Sequence, residues 1–224
     1  MYARILCIAA LFASALPALA ADKIPIVDEG KLDQWALVPG SQLMPPYPEA
    51  YVKNPEEVCL VVGYLVNADG RTSDFALLKS WTSGSNSRTR GKFWGEFSDL
   101  ASRALAQWKY APRDAASAQP VYTAATFVFG TPQAAADTKA HCDIAGGLAT
   151  RLLELRYDPR AGRMMSRGIF TQLEIDPEMQ ERIRQDVLAH RENASRAVMQ
   201  QVERQQAQQQ PDQQGQPFPP TSGD

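Results

Sequence analysis

The fold is decided by one apolar stretch and its turn, Cys59-Leu60-Val61-Val62-Gly63-Tyr64-Leu65-Val66-Asn67-Ala68-Asp69-Gly70. The part up to Val66 is rich in β-branched and aromatic side chains, which favour a strand. Asp69-Gly70 supplies a turn, because glycine adopts positive φ without steric cost. A second β-prone run then extends from Thr72 to Trp81. The pattern predicts an antiparallel β-hairpin.

Two further elements are predicted after the hairpin. A helix with one apolar face is indicated by the helical spacing of Phe97, Leu100, Ala101, Ala104, Leu105 and Trp108, and Pro112 ends this region. A third strand is predicted over Val121, Tyr122, Thr123, Ala124, Ala125, Thr126, Phe127, Val128 and Phe129. The order predicts an α+β fold, in which a small antiparallel three-stranded sheet (β-β-α-β) is packed by one main helix.

A linker and helical extension are predicted over residues 131–204. A short helix is expected within residues 142–158, and a longer one begins at Asp176-Pro177, where Asp is the N-cap. One narrow apolar face of the longer helix carries Met179, Ile183, Val187, Ala194, Val198 and Val202. We favour a helix that lies on the domain or stands partly free, with self-association through residues 177–204 as the alternative. The Gln/Pro-rich residues 205–224 are predicted to be disordered.

The N-terminus has the pattern of a secretory signal. Arg4 precedes an apolar run from Ile5 to Leu16, and Ala18-Leu19-Ala20 follows as a cleavage site. The run is about a dozen residues, whereas a membrane span needs about 20. We therefore expect residues 1–20 to be a cleavable signal peptide and residues 21–44 an extended leader. An uncleaved anchor over residues 5–21 is the alternative.

Two cysteines, Cys59 and Cys142, remain after the signal. An exported protein meets oxidising conditions, so we expect one disulfide between them. Two unrelated thiols are the alternative, because the sequence does not show how closely the two residues approach. The formal net charge is -2. A nearly neutral chain implies neither nucleic acid nor an anionic membrane as a partner.

Catalytic chemistry is not indicated by the sequence. The two histidines are His141, beside Cys142 and Asp143, and His190 in a charged segment. A zinc site needs about four ligands, and no second cluster accompanies His141. Neither a glycine-rich phosphate loop nor a nucleophile elbow occurs. We therefore expect no enzyme, with no catalytic residues, metal site or cofactor.

Five segments occur in a recognisable order and spacing: Pro46-Tyr47-Pro48, Asn67-Ala68-Asp69-Gly70-Arg71, Ala101-Ser102-Arg103-Ala104-Leu105, Trp108-Lys109-Tyr110-Ala111-Pro112 and Phe127-Val128-Phe129. Together they make residues 45–130 similar to the C-terminal domain of TonB energy transducers. The chain departs from that pattern at Glu57-Val58, where family members usually carry a glycine, and at Pro46, where many carry a glutamine.

The resemblance implies a periplasmic protein-binding module. Because the predicted signal peptide would be cleaved and leave no anchor, we expect the module to have no energy coupling of its own. In that family an outer-membrane receptor segment adds as a strand to an exposed sheet edge, which here would be the strand from Val121 to Phe129. One alternative is a membrane-anchored transducer that keeps residues 5–21 and couples to Exb-type proton-channel partners. Another is an envelope scaffold protein. For the third strand itself, the alternative is a purely structural role, with the C-terminal extension covering it.

Overall fold

The predicted hairpin, main helix and third strand all form in the computed structural model. The structure describes residues 23–84, 91–114, 118–158 and 167–209, so the predicted signal peptide lies outside the described residues. A 3-10 turn at Glu49–Tyr51 precedes the hairpin. In chain order the other elements are β1 (Trp35–Leu37), β2 (Val58–Val66), β3 (Thr72–Thr82), α1 (Gly91–Leu105), β4 (Tyr110–Pro112), β5 (Val121–Phe129), α2 (Ala135–Ala140), α3 (Gly147–Tyr157), α4 (Arg167–Gln172) and α5 (Pro177–Gln209).

The hairpin turn between β2 and β3 depends on Gly70. The N–H of Gly70 donates to the Asn67 carbonyl at 2.8 Å, and Gly70 has a φ of +76°. A Cβ at this position would lie 1.9 Å from the carbonyl oxygen of Tyr110. Glycine is therefore required both for the backbone conformation and for the close approach of β4.

The main sheet has the strand order β3-β2-β5, with both pairs antiparallel. All nine residues of the central strand β2 are buried, because helices cover both faces of the sheet. Burial on both faces explains why β2 is continuously apolar instead of alternating. One face packs Leu60, Val62 and Tyr64 with Phe93, Phe97 and Leu105 of α1. The other packs Val61 and Leu65 with Leu148 and Leu152 of α3. The predicted α+β fold is confirmed.

The helix α1 ends at Leu105, so the predicted continuation of its apolar stripe to Trp108 was wrong. The Trp108 N–H donates to the Leu105 carbonyl at 2.9 Å, a tight turn that closes the helix. The Tyr110 N–H then donates to the Gly70 carbonyl at 2.8 Å, which draws the chain into β4. Trp108 still seals this end of the core, since it is buried and its indole N–H donates to the Leu43 carbonyl at 3.0 Å.

The described part of the leader, from residue 23 to residue 44, pairs with the domain at two places. Trp35–Leu37, the strand β1, pairs antiparallel with β4. Upstream, Ile26 forms a parallel bridge with Tyr122 of β5. These contacts make the leader part of the folded domain.

The C-terminal extension covers the second face of the sheet through α3 and is joined to it by the predicted disulfide. Cys59 of β2 and Cys142 are bonded, with their Cα atoms 6.1 Å apart. The disulfide prediction is therefore confirmed.

The long helix α5 begins at Pro177, and the Asp176 carboxylate accepts the Glu178 N–H at 3.0 Å, as the predicted N-cap requires. Its first turns are partly buried where α5 packs on α3. From Leu188 to Gln206 every side chain is exposed, and the helix continues to Gln209, beyond the predicted boundary at residue 204. No helix in the described ranges is both long and apolar enough to cross a membrane.

Candidate functional site

The nine residues predicted to bind a partner, Val121 to Phe129, form the edge strand β5. β5 pairs with β2 along its whole length without a register shift. In an antiparallel pair, successive residues direct their backbone groups alternately toward and away from the partner strand. One set of β5 residues therefore presents its N–H and C=O groups to the outside of the sheet.

Hydrogen bonds with the leader show which residues of β5 face away from β2, and the leader covers the first of these residues. The Tyr122 N–H donates to the Pro25 carbonyl at 2.9 Å, and the Tyr122 carbonyl accepts the Val27 N–H at 2.9 Å. Tyr122 therefore faces away from β2, and alternation places Ala124, Thr126 and Val128 on the same side. The first of these four outward positions is thus occupied by the protein's own leader.

Glu29 occupies a second outward position with its side chain. The chain turns away from β5 after Val27, helped by Gly30 at a φ of +79°. The Glu29 carboxylate then reaches back and accepts the Thr126 N–H at 2.8 Å and the Thr126 hydroxyl at 2.5 Å. The carboxylate takes the place that a carbonyl of a neighbouring strand would have.

The outward groups of Ala124 and Val128 are open. Among the described residues, neither backbone N–H forms a hydrogen bond on this side. Ala124 as a whole residue is nevertheless only 4% exposed, whereas Val128 is half-buried. Buried backbone groups of this kind are normally hydrogen-bonded, which makes this position a candidate site for a partner.

A groove with a volume of about 300 Å³ lies beside Ala124 and Thr126. Its walls come from the leader on one side and from the α2–α3 connection on the other. The lining residues are Asp28, Glu29, Ala124, Thr126, Cys142, Asp143, Ile144, Gly147 and Leu148. The size is at the lower end of small-ligand pockets, so the groove suits one or two side chains of a bound segment.

The α2–α3 wall of the groove is held to the sheet by three contacts. Cys142 is bonded to Cys59. His141 stacks on Trp81 of β3, with ring centroids 3.8 Å apart and planes 7° from parallel. The Lys79 ammonium donates to the Asp143 carbonyl at 2.6 Å. His141 therefore has a structural role in this wall, and within the described ranges no three metal-ligating side chains converge.

The leader wall is held by Asp28, which caps the distant helix α3. Its carboxylate accepts the Leu148 N–H at 2.8 Å and lies 3.2 Å from the Lys31 ammonium. The Leu148 hydrogen bond, assisted by Lys31, holds the pKa of Asp28 below its ordinary value against the opposing effect of burial. Asp28 is therefore ionised at neutral pH and compensates the positive end of α3.

The groove has a negative character. Three of its lining residues are acidic, Asp28, Glu29 and Asp143, and none of its described lining residues is basic. The Asp28 and Glu29 carboxylates already accept protein hydrogen bonds, whereas that of Asp143 is exposed and has no partner in the described part of the chain. A cation would thus meet at least one unengaged carboxylate here.

The sequence pattern predicts β5 but not the groove beside it. The leader residues Asp28 and Glu29 were assigned only to an extended segment, although Asp28-Glu29-Gly30 has the composition of a turn. Even that signal would not have identified Leu148 and Thr126 as their partners, which are 120 and 97 residues away along the chain.

Comparison with known proteins gives structural neighbours only. No family model matches the sequence, and no curated protein matches it. Three chains of solved structures match, and one of these is the solution NMR structure of the Pseudomonas aeruginosa TonB CTD. That neighbour is 20% identical, covers 47% of this chain and 94% of its own, and superposes with a TM-score of 0.37.

Proposed function

We propose that this protein is a protein-binding module of the periplasm that recognises an extended partner segment by strand addition along β5. In this proposal it has no catalytic activity and no energy coupling of its own. The partner is a protein of the cell envelope, and an outer-membrane receptor is the class that the sequence resemblance implies.

The observation that carries the proposal is the open backbone of Ala124 and Val128 at the edge of the sheet. An added strand would pair with these N–H and C=O groups and satisfy them. The groove next to Ala124 would receive a side chain of that strand, which adds specificity to hydrogen bonds that any sequence can make.

The partner has to compete with the protein's own leader. Pairing along residues 124–128 requires the Glu29 carboxylate to leave the Thr126 N–H, and pairing beyond Ala124 toward Tyr122 requires residues 25–27 to leave as well. The accessible part of the edge is therefore its C-terminal half, and the proposed binding begins there.

The proposal is tested by affinity capture from periplasmic and outer-membrane extracts with three baits: wild type, Val128→Pro and Val128→Thr. The Val128 N–H points away from β2, so proline removes an outward donor without breaking the ladder, as edge strands tolerate. Val128→Thr keeps the N–H and the β-branched shape and is the matched control.

We expect a partner that is retained by wild type and Val128→Thr and lost with Val128→Pro. Adding the captured protein to the isotope-labelled module should also shift the Ala124 and Val128 amide resonances. Circular dichroism of Val128→Pro checks that the variant is folded. Equal capture by all three baits, or amide shifts confined to other surfaces, would contradict strand addition at β5.

The proposed compartment is supported by the disulfide between Cys59 and Cys142, because such bonds persist in oxidising environments. N-terminal sequencing of the protein isolated from cells tests it directly. A start at Ala21 is expected. An intact Met1 would contradict a free periplasmic module and favour the membrane-anchored transducer.

A further inference from the structure

We propose that the groove beside β5 selects partner segments that carry a lysine or arginine where they pass Ala124. This inference rests on the proposed function, because the added strand is what delivers the basic side chain. It goes further by naming the chemical class of residue that the site recognises.

The geometry of strand addition directs one partner side chain into the groove. Side chains of residues paired across two strands lie on the same face of the sheet. Ala124 belongs to the face that packs against α3, and the groove is on that face. The residue opposite Ala124 in an added strand therefore points into the groove, and the small alanine methyl leaves it room.

The interior of the groove matches a long side chain with a charged end. Ile144, Leu148 and Cys142 are lining residues that also belong to the apolar cluster on this face of the sheet. The carboxylates of Asp28, Glu29 and Asp143 lie on the same lining. Lysine and arginine pack their methylene stems on apolar surface while the charged head contacts polar groups, which fits this distribution.

The nearby charges favour a cation over an anion. Lys31 and Lys79 are close, but they contact the Asp28 carboxylate and the Asp143 carbonyl and do not line the groove. The N-terminus of α3 would attract an anion, but its Leu148 N–H is already paired with Asp28. Replacing Asp143 tests whether the groove recognises a basic side chain. Its carboxylate forms no hydrogen bond or ion pair with the described residues, so the replacement should leave the fold intact.

The test uses four capped heptapeptides of the form Thr-Val-Thr-X-Thr-Val-Thr, in which X is lysine, arginine, norleucine or glutamate. Each is titrated into the isotope-labelled full chain, and the amide resonances of Ala124 and Val128 give both the site and the affinity. Norleucine is the control for the methylene stem without charge. Asp143→Asn tests the groove, and Asp99→Asn on the exposed side of α1 is the matched control for net charge.

We expect the lysine and arginine peptides to bind about fivefold more tightly than the norleucine peptide, with glutamate the weakest. Asp143→Asn should reduce the lysine preference at least about threefold, and Asp99→Asn should leave it unchanged. Equal affinities of the lysine and norleucine peptides, with shifts at Ala124 and Val128, would overturn this inference and leave strand addition standing. If no peptide shifts these amides, both proposals fail.

Discussion

The central strand β2 requires glycine at position 63, because the neighbours of Gly63 leave no space for a side chain. A Cβ at Gly63 would lie 2.5 Å from the Tyr122 hydroxyl and 2.9 Å from a methyl carbon of Leu78. Both neighbouring side chains are buried, and burial raises the pKa of Tyr122, so the hydroxyl stays neutral where it crosses the glycine. The tight fit links β2, β3 and β5 on the face covered by α3.

Replacing Gly63 with alanine is expected to destabilise the protein by about 1–3 kcal/mol, because Tyr122 and Leu78 would have to move within a packed core. Urea unfolding followed by circular dichroism measures the change. Gly95→Ala is the control, since a Cβ on this exposed turn of α1 meets nothing within 4 Å. That variant should be stabilised by up to about 1 kcal/mol, and equal losses in both variants would contradict the packing argument.

Asp28 connects the leader to α3, so its loss should remove a helix cap. Asp28→Ala is expected to cost about 1 kcal/mol of unfolding free energy at pH 7. The folded-state pKa of Asp28 is lowered, so its stabilising contribution is complete above the unfolded pKa of about 4 and is lost as the pH falls through the folded pKa. The difference between wild type and variant should therefore narrow below about pH 4.

Chemical unfolding of wild type and Asp28→Ala at pH 7 and at pH 3 tests this prediction. Asp33→Ala is the control, because Asp33 is exposed in the same leader and its side chain has no hydrogen bond with the described residues. The control should change the unfolding free energy by less than about 0.5 kcal/mol at either pH. A difference for Asp28→Ala that stays constant from pH 7 to pH 3 would contradict the linkage.

At the scale of the elements, β5 differs from β2 and β3 because its outward groups have three different states. Those of Tyr122 pair with the leader backbone, and the N–H of Thr126 pairs with the Glu29 side chain. Those of Ala124 and Val128 have no hydrogen-bond partner among the residues that the structure describes. Paired and unpaired outward groups alternate along β5 because the leader backbone turns away from the strand after Val27. One short backbone contact and one carboxylate thus cover two of the four outward positions of this edge.

Hydrogen exchange should report this alternation residue by residue. The Ala124 and Val128 amides are expected to exchange by local fluctuation, at least about tenfold faster than the Phe127 amide, whose bond to β2 opens only with larger unfolding. Glu29→Ala should accelerate exchange at Thr126 and leave Phe127 unchanged. NMR-detected exchange makes the comparison within one sample, and slow exchange at Ala124 and Val128 would show that the edge is not open.

At the scale of the whole molecule, the disulfide joins the sheet to the extension that covers it. Cys59 and Cys142 are 83 residues apart in sequence, so the bond closes a loop that contains both β3 and β5. It also anchors the wall of the groove next to His141. The second face of the sheet and the candidate site therefore depend on the same covalent link.

Reduction of this disulfide is expected to lower the unfolding free energy by about 2–5 kcal/mol, because the unfolded chain regains the freedom of a long loop. Urea unfolding with and without reductant measures the loss. A Cys59→Ala/Cys142→Ala double variant is the control and should be insensitive to reductant. A similar response of wild type and double variant would mean that the reductant acts elsewhere.

Local sequence determined the elements whose signals lie within a few residues of one another. Three such elements were predicted with nearly their observed bounds: the turn at Asp69-Gly70, the β-branched strand β5, and the start of α5 at Asp176-Pro177. In each of them, neighbouring residues alone favour the observed structure. The disulfide was predicted because two of the three cysteines follow the predicted signal peptide. The end of α1 at Leu105 was not predicted, because Trp108 continues the helical spacing of apolar residues. The chain leaves the helix before Trp108, and the Tyr110–Gly70 hydrogen bond directs it into β4.

Only the tertiary structure decided which groups meet across long sequence separations. The pairing of the leader with β5, the Glu29–Thr126 contact and the Asp28 cap on α3 join segments that have no local pattern in common. Their formation depends on the completed sheet and on the placement of α3, because each contact needs a partner that folding brings into reach. The sequence alone therefore predicted the edge strand β5, and the fold decided which of its positions are open.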